Sequence, residues 1–234
     1  MRFKRKKSGK CSFFTLGLEK AFCSFSTRSC GDLANFASAL DIDPSEIVQA
    51  EQVHKSAVAL VTAKEKGKTI KGVDALMTKD ENVPLSVRTA DCIPIFILDK
   101  ATPAIALIHG GWRGAVKGIA QKTLKAMRNA FDTRIKNCII AVGPSIGPCC
   151  YEVGWEVINP LSRAFKGWGK AARSKKDGKW MLDLALLNEL ALLKAGASRK
   201  NIIGLRSCTC CKKLFHSFRR DGTEHRNYTL AMLR

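Results

Sequence analysis

The pattern of apolar positions predicts a hairpin in the middle of the chain. Residues 93–98 (IPIFIL) and 104–108 (AIALI) are two apolar runs typical of buried strands. The five residues between them, Asp99 to Pro103, have the composition of a short turn. With the midpoint of the hairpin placed between Lys100 and Ala101, Cys92 and His109 lie opposite each other. Because opposed Cβ atoms are about 4.5–5.5 Å apart, we expect a thiolate and an imidazole to converge there.

A helix is predicted directly after this hairpin. Its apolar positions recur at spacings of three and four residues, and they are Val116, Ile119, Ala120, Leu124, Met127 and Phe131. The turn before it reads His109-Gly110-Gly111-Trp112-Arg113-Gly114. Gly111 and Gly114 would let the backbone approach a ligand, and the first N–H groups of a helix favour an anion.

The remaining pattern predicts more strands than helices. Strands are expected at residues 21–28, 57–61, 73–78, 85–89, 137–142 and 202–206, and helices before Gln49 and from Asp183 to Gly196. The strands do not alternate strictly with helices, which favours an α+β fold. We interpret residues 1–12 as a basic, mobile tail and residues 13–234 as a single catalytic domain.

Length and cysteine usage indicate a cytoplasmic protein. The chain has 234 residues and 46% apolar content, which is enough for one domain with a sizeable core. No run reaches the length that a membrane span requires, and residues 11–18 are too short and polar for the core of a secretion signal. The ten cysteines are therefore expected to be thiols.

The chain is strongly basic, with 40 basic and 20 acidic residues and a formal net charge of +20. The excess lies in residues 2–10, 163–179 and 199–226. Nucleic-acid binding would explain such a charge, but these segments lack the repeated aromatic residues of a base-stacking surface. The charge pattern therefore favours attraction of small phosphate-bearing anions over nucleic acid as a partner.

Only four histidines are present, and two of them lie at the ends of apolar runs. His54 follows the run from Ile47, and His109 ends the second strand of the hairpin. Together with Cys92 they make two imidazoles and a thiolate, a known catalytic zinc set with an open fourth position. A Cys92 nucleophile with His109 as its base is the competing interpretation. The spacing leaves both open.

Five motifs resemble, in the same order, those of one protein family. They are Gln52-Val53-His54, residues 89–94 (TADCIP), 109–114 (HGGWRG), 143–153 (GPSIGPCCYEV) and 218–222 (FRRDG). The family was long called polyphenol oxidases or laccase-domain proteins and is now regarded as purine nucleoside phosphorylases. The resemblance runs from about Phe22 to Arg226.

This resemblance implies a zinc site at His54, Cys92 and His109. It also implies phosphorolysis of adenosine, inosine, guanosine and methylthioadenosine, with adenosine deamination as a second activity, and a fold of two mixed sheets packed together and flanked by helices. The chain departs from the family pattern at Lys55, Gly110, His216 and His225, and none of these positions belongs to the metal set.

The older laccase name does not fit the histidine count. A blue-copper centre alone takes two histidines and a cysteine, so four histidines cannot also supply a trinuclear copper cluster. A single copper ion could still occupy the same site as zinc, since copper outcompetes zinc at nitrogen and sulfur ligands.

The sequence therefore predicts a zinc-dependent purine nucleoside phosphorylase, either a monomer or a homodimer. Arg113, beside the glycine-rich helix start, is the first candidate for holding phosphate, and Arg28 is the second. Asp91 is predicted to orient the neighbouring ligand Cys92 or to carry a proton.

Overall fold

Two mixed sheets lie at the centre of the computed structural model, which describes all 234 residues. The strands are β1 Lys4–Ser8, β2 Cys11–Leu18, β3 Ala21–Ser26, β4 Val48–Ala50, β5 Val58–Leu60, β6 Thr69–Ile70, β7 Ala75–Thr78, β8 Leu85–Thr89, β9 Ile93–Asp99, β10 Ala104–Gly110, β11 Ile139–Val142, β12 Glu152–Val153, β13 Ala172–Ser174, β14 Trp180–Leu182, β15 Ile202–Gly204 and β16 Asn227–Leu233. The helices are α1 Leu33–Ser38, α2 Trp112–Val116, α3 Ile119–Phe131, α4 Trp155–Ala164, α5 Leu184–Lys194 and α6 Phe218–Asp221.

The strand order explains why the central strands are apolar on both sides. One sheet has the order β1-β2-β3-β16-β8-β4-β6 and the other β15-β11-β9-β10-β7-β5, while β12-β14-β13 form a small third sheet. Along β9, Phe96 and Leu98 pack against the seven-stranded sheet. Ile95 and Ile97 face the helices on the opposite side. A strand buried on both faces reads as a continuous apolar run, and the predicted α+β fold is confirmed.

A side-chain cap and a glycine with positive φ set the limits of helices in the outer layer. The side chain of Asp183 accepts the N–H of Leu186 and caps the start of α5. The helix predicted over residues 116–131 is divided into α2 and α3, because Gly118 between them has a φ of 72°. None of the helices has the length and apolar character that crossing a membrane requires.

The central hairpin forms, but its register differs from the predicted one. His109 pairs with Pro94, not with Cys92, which lies in the bend before β9. The reason is the turn, in which the carboxylate of Asp99 accepts the N–H groups of Ala101 and Thr102 and shifts the pairing by two residues. A shift of two keeps each side chain on its predicted face.

The first twelve residues differ from the expected tail. Residues 4–8 form β1, an exposed edge strand that pairs antiparallel with β2. Phe3 packs on the buried ring of Phe25, with 5.2 Å between ring centroids. The tail prediction failed because a strand made of Lys and Arg residues shows no alternation of apolar and polar positions.

The expectation that all ten cysteines are thiols is also wrong, since Cys11 and Cys30 form a disulfide.

We expect Phe3→Ala to lower the free energy of unfolding by about 1–2 kcal/mol, because it removes an aromatic pair and its buried area. Urea unfolding followed by tryptophan fluorescence measures this change. Lys6→Ala, on the exposed strand β1, is the control and should stay within about 0.5 kcal/mol. Equal effects of the two variants would show that the N-terminal segment does not pack on the domain.

Candidate active site

Three potential metal ligands converge at one end of the two sheets. They are His54 after β4, Cys92 between β8 and β9, and His109 in β10. Their ligand atoms all lie within 4.8 Å of one another, and the two imidazole rings are 4.8 Å apart at an angle of 73°. The structure thus brings together the three residues that the sequence singles out.

Asp74 holds two of these three residues in place. Its buried carboxylate lies 2.8 Å from Nδ1 of His109, and it accepts the backbone N–H groups of His54 at 3.0 Å and Lys55 at 2.7 Å. The last two bonds support His54 at a φ of 55°, which is rare for a residue with a side chain. Sequence reasoning missed Asp74, although an aspartate at the start of an apolar strand was a usable signal.

The two histidines differ in how easily they are protonated. Burial disfavours charge on His109, but Cys92 and Asp74 outweigh burial and raise the pKa of His109 to about 9. Burial and the positive charges of His109, Arg113 and Arg226 lower the pKa of His54, against the opposing effect of Asp74. Without a metal, one imidazole therefore carries a proton near neutral pH and the other does not.

Gly111 leaves the space in front of the ligands open. A Cβ atom at this position would lie 3.1 Å from Sγ of Cys92 and 3.5 Å from Nδ1 of His54. A Cβ at Gly114 would instead lie 3.2 Å from the carbonyl oxygen of Lys55 and 3.3 Å from Ile119. Gly111 thus lies against Cys92 and His54, whereas Gly114 allows close packing of the backbone.

These residues fit a metal ion well. Two imidazoles and one thiolate offer three protein ligands and leave a fourth position free, as catalytic zinc sites do. A carboxylate on the other ring nitrogen of a ligating histidine fixes the ring and its tautomer, and Asp74 makes this contact with His109. Sulfur and imidazole ligands also suit copper.

Asp91 organises the neighbouring loop. Its Oδ1 accepts the hydroxyl of Thr209 at 2.6 Å, and its Oδ2 accepts the backbone N–H of Arg219 at 2.7 Å. Its φ of 87° bends the chain sharply just before Cys92. Because both carboxylate oxygens already accept hydrogen bonds, this geometry favours the orienting role over proton transfer.

A cavity of about 650 Å³ opens in front of the three ligands. Its lining residues are Gln52, His54, Arg88, Thr89, Ala90, Asp91, Cys92, His109, Gly111, Trp112, Arg113, Ile146, Tyr151, Phe218, Arg219, Glu224 and Arg226. Four arginines therefore face a space that also contains three aromatic side chains. Burial, followed by the proximity of Cys92, raises the pKa of Tyr151, so its hydroxyl remains protonated.

Two of the four arginines are held over aromatic rings. The guanidinium of Arg113 lies 4.4 Å from the Trp112 ring centroid, and that of Arg219 lies 5.4 Å from the Tyr151 ring centroid. Arg113 thus lines the cavity as a candidate for anion binding. Arg28 does not line it, and its guanidinium reaches the carbonyl oxygen of Lys213 at 3.5 Å. Sequence reasoning missed Arg219, which lies 128 positions from its partner Asp91.

The family described as multi-copper polyphenol oxidoreductase laccase matches residues 31–234. The chain belongs to this family.

Two similar proteins are named as nucleoside-processing enzymes. The chain is 34% identical to a protein named adenosine deaminase RL5, from an unknown prokaryotic organism, over 197 residues that cover 80% of this chain and 74% of the relative. It is 34% identical over 189 residues to purine nucleoside phosphorylase YlmD of Geobacillus stearothermophilus, which covers 76% and 69% of the two chains. These names agree with the family that the sequence motifs indicate.

Solved structures show the same fold. The chain superimposes on YlmD from Geobacillus stearothermophilus with a TM-score of 0.89 at 27% identity, covering 98% of each chain. YfiH from Bacillus licheniformis gives a TM-score of 0.92 at 24% identity, covering 98% of this chain and 99% of that one. The predicted arrangement of two mixed sheets flanked by helices is therefore confirmed.

We expect Cys92→Ala to lose one equivalent of bound metal per chain, because two imidazoles alone make an incomplete shell. Metal analysis of the purified variant measures this loss. Cys23→Ala is the control, since Cys23 is buried in the core away from the cavity. Unchanged metal content in Cys92→Ala would contradict the ligand assignment. Activity that survives chelation but is lost when Cys92 is alkylated would favour the nucleophile interpretation.

We expect Asp74→Asn to weaken metal binding by about 10–100-fold, the usual effect of removing a partner of a ligating histidine. In the metal-free variant, the pKa of His109 should fall below about 9, because the negative charge that favours the imidazolium is gone. Titration of the imidazole signals by NMR measures the pKa, and chelator competition measures the affinity. A normal affinity with an unchanged pKa would show that Asp74 supports the backbone only.

Proposed function

We propose that the chain is a zinc-dependent purine nucleoside phosphorylase that also deaminates adenosine. The observation that carries this proposal is the shared cavity, in which the His54, Cys92 and His109 set faces the same space as Arg113 and Arg219. The names of the relatives add support. Adenosine, inosine, guanosine and methylthioadenosine are the proposed substrates with phosphate.

Phosphorolysis needs an anion held beside the ribose. An oxygen of phosphate attacks the anomeric carbon while the bond to the purine nitrogen breaks, and the base leaves with a proton. Arginine suits the anion, because its planar guanidinium can donate two parallel hydrogen bonds to phosphate oxygens. Arg113 is the primary candidate, since Trp112 holds its guanidinium from one side. Arg219 and Arg226 line the same cavity.

The aromatic side chains and one carboxylate of the cavity suit a purine nucleoside. Tyr151 and Phe218 offer faces for stacking on a base, and Phe218 is exposed to a fraction of 59%. The side-chain amide of Gln52 is not free, because it donates to the carbonyl of Arg88 and accepts the N–H of the same residue. Glu224 lines the cavity as an acceptor for ribose hydroxyl groups.

Deamination makes a different demand on the same cavity. Water replaces the amino group at C6 of adenosine and ammonia leaves, so no phosphate is required. A zinc ion held by the three ligands would supply Lewis-acid chemistry for this step. Asp74 and Gly111 would serve both reactions, since the first fixes His109 and the second keeps the approach to the ligands open.

One feature also matches a cysteine hydrolase. Asp74, His109 and Cys92 form a chain of orienting acid, base and thiol, as nucleophilic catalysis requires. The metal site remains our preferred interpretation because it also accounts for His54, whose unusual backbone conformation is held by Asp74. A hydrolase would have no use for that third residue.

The setting of the reaction is part of the proposal. Eight of the ten cysteines are free thiols, which favours a cytoplasmic location. We propose that the protein acts there on small-molecule substrates, as a monomer or a homodimer. The basic surface then raises the local concentration of phosphate-bearing anions.

We expect Arg113→Ala to reduce phosphorolysis of inosine far more than deamination of adenosine. Each lost charge-assisted hydrogen bond of about 1.5–3 kcal/mol corresponds to roughly 10–100-fold in rate. Arg113→Lys should restore only part of the activity, because a point charge lacks the planar fork. Hypoxanthine release with phosphate and inosine formation without phosphate are the two measurements.

The controls for this experiment come from two other arginines. Arg128→Ala lies on the exposed face of α3 and should change neither reaction. Arg28→Ala should also leave both reactions intact, since Arg28 does not line the cavity. Equal losses of both reactions in Arg113→Ala would show that Arg113 is structural. A selective loss of phosphorolysis in Arg28→Ala would move the phosphate site to that residue.

A further inference from the structure

Four cysteines form a second cluster outside the cavity. The Sγ atoms of Cys149, Cys150, Cys208 and Cys211 all lie within 4.8 Å of one another. Cys211 is 3.2 Å from Cys149 and 3.1 Å from Cys150, and all four are free thiols. These separations are far longer than the about 2.05 Å of a disulfide bond. Two sulfurs bound to one tetrahedral zinc ion with bonds of about 2.3 Å are about 3.8 Å apart, which is longer than the two short contacts and within the 4.8 Å that encloses all four sulfurs.

The backbone around the cluster suits thiolates. Sγ of Cys208 accepts the N–H of Gly147 at 3.2 Å and the N–H of Cys211 at 3.5 Å. Hydrogen bonds to a ligating sulfur orient it and share its negative charge. A Cβ atom at Gly147 would lie 3.4 Å from Sγ of Cys149 and 3.3 Å from Cβ of Cys208, so glycine allows the loop to come this close.

One half of the cluster has the sequence spacing of a structural zinc site. Cys208 and Cys211 are separated by two residues, as in one half of many structural zinc sites, and Cys149 and Cys150 come from a second loop. The two loops are aligned by a bridge between Ser145 and Cys208, in which the N–H of Thr209 donates to Ser145. The four sulfurs are thus brought together by two segments about sixty residues apart.

We propose that Cys149, Cys150, Cys208 and Cys211 bind one structural zinc ion as a tetrathiolate site, separate from the His54, Cys92 and His109 set. Four protein ligands close the coordination shell and leave no position for a substrate. Four thiolates and one Zn²⁺ carry a net charge of −2. Two lysines that follow Cys211 in the sequence, Lys212 and Lys213, supply positive charge to offset it.

A zinc ion at this site would rigidify the two loops that support one side of the cavity. Tyr151 follows Cys150 directly, and Thr209, between two of the ligands, donates to Asp91. The guanidinium of Arg220 donates to the carbonyl groups of Thr209 and Cys210, which ties α6 to the same loop. Zinc at the cluster would therefore fix the position of Tyr151. Through Asp91 and α6 it would also fix Arg219, which lines the cavity.

Metal content tests the proposal without using activity. The full-length protein, purified without chelators and loaded with zinc alone, should contain two zinc ions per chain. Cys149→Ser/Cys211→Ser should contain one, as should Cys92→Ala, and the triple variant none. Cys210→Ser is the matched control, because Cys210 lies beside the cluster but outside the four ligands, and it should keep both ions.

Spectroscopy and thiol reactivity cover the case in which the double variant does not fold. Cobalt(II) added to Cys92→Ala should produce the intense visible bands and sulfur-to-metal charge transfer of a tetrahedral tetrathiolate, and zinc should remove them. Zinc should also protect the four thiols from alkylation, as mapped by mass spectrometry. A zinc content in the double variant equal to that of the wild-type protein, no tetrathiolate cobalt spectrum in Cys92→Ala, or disulfides among these four cysteines in the purified protein would overturn the proposal.

Discussion

The site depends first on one buried carboxylate. Asp74 is fully buried, and burying an isolated charge is costly unless hydrogen bonds compensate for it. Burial raises its pKa, but the hydrogen bonds from His109, Lys55 and His54 prevail and lower it. The same residue's carbonyl oxygen accepts the backbone N–H of His109. A single residue directly before β7 therefore contributes both to the pairing of β7 with β10 and to the orientation of His109.

A second constraint comes from the passage between the two sheets. Strand β8 belongs to the seven-stranded sheet and β9 to the six-stranded one, so Asp91 and Cys92 lie where the chain crosses from one to the other. The carboxylate of Asp91 there binds Thr209 and Arg219 from the last part of the chain. The cavity thus forms where loops of both sheets meet, and rigid strands hold each loop.

The apolar periodicity of the sequence predicted the strands and the helix cap, which depend on neighbouring residues. It missed the contacts between residues far apart in the chain. The strands β8 and β9 and the cap of α5 follow from patterns within about ten residues. The hairpin register required knowing that Asp99 would bind the backbone of its own turn, and the roles of Asp74 and Arg219 depend on contacts 35 and 128 positions away. The sequence placed His54 and His109 at the ends of apolar runs and Cys92 just before one, and the two-residue shift in register still leaves the three side chains close together.

The electrostatics of the cavity link its two halves. Burial and His109, followed by Arg113 and Arg226, lower the pKa of His54 and keep its imidazole neutral, yet the positive charges of the two arginines oppose a cation in the adjacent space. A phosphate anion between the arginines and the ligands would reduce this repulsion. Because such linkage is reciprocal, a metal ion would in turn favour the anion. Arginines beside a set of metal ligands would therefore couple the binding of a metal to the binding of an anion in the same cavity.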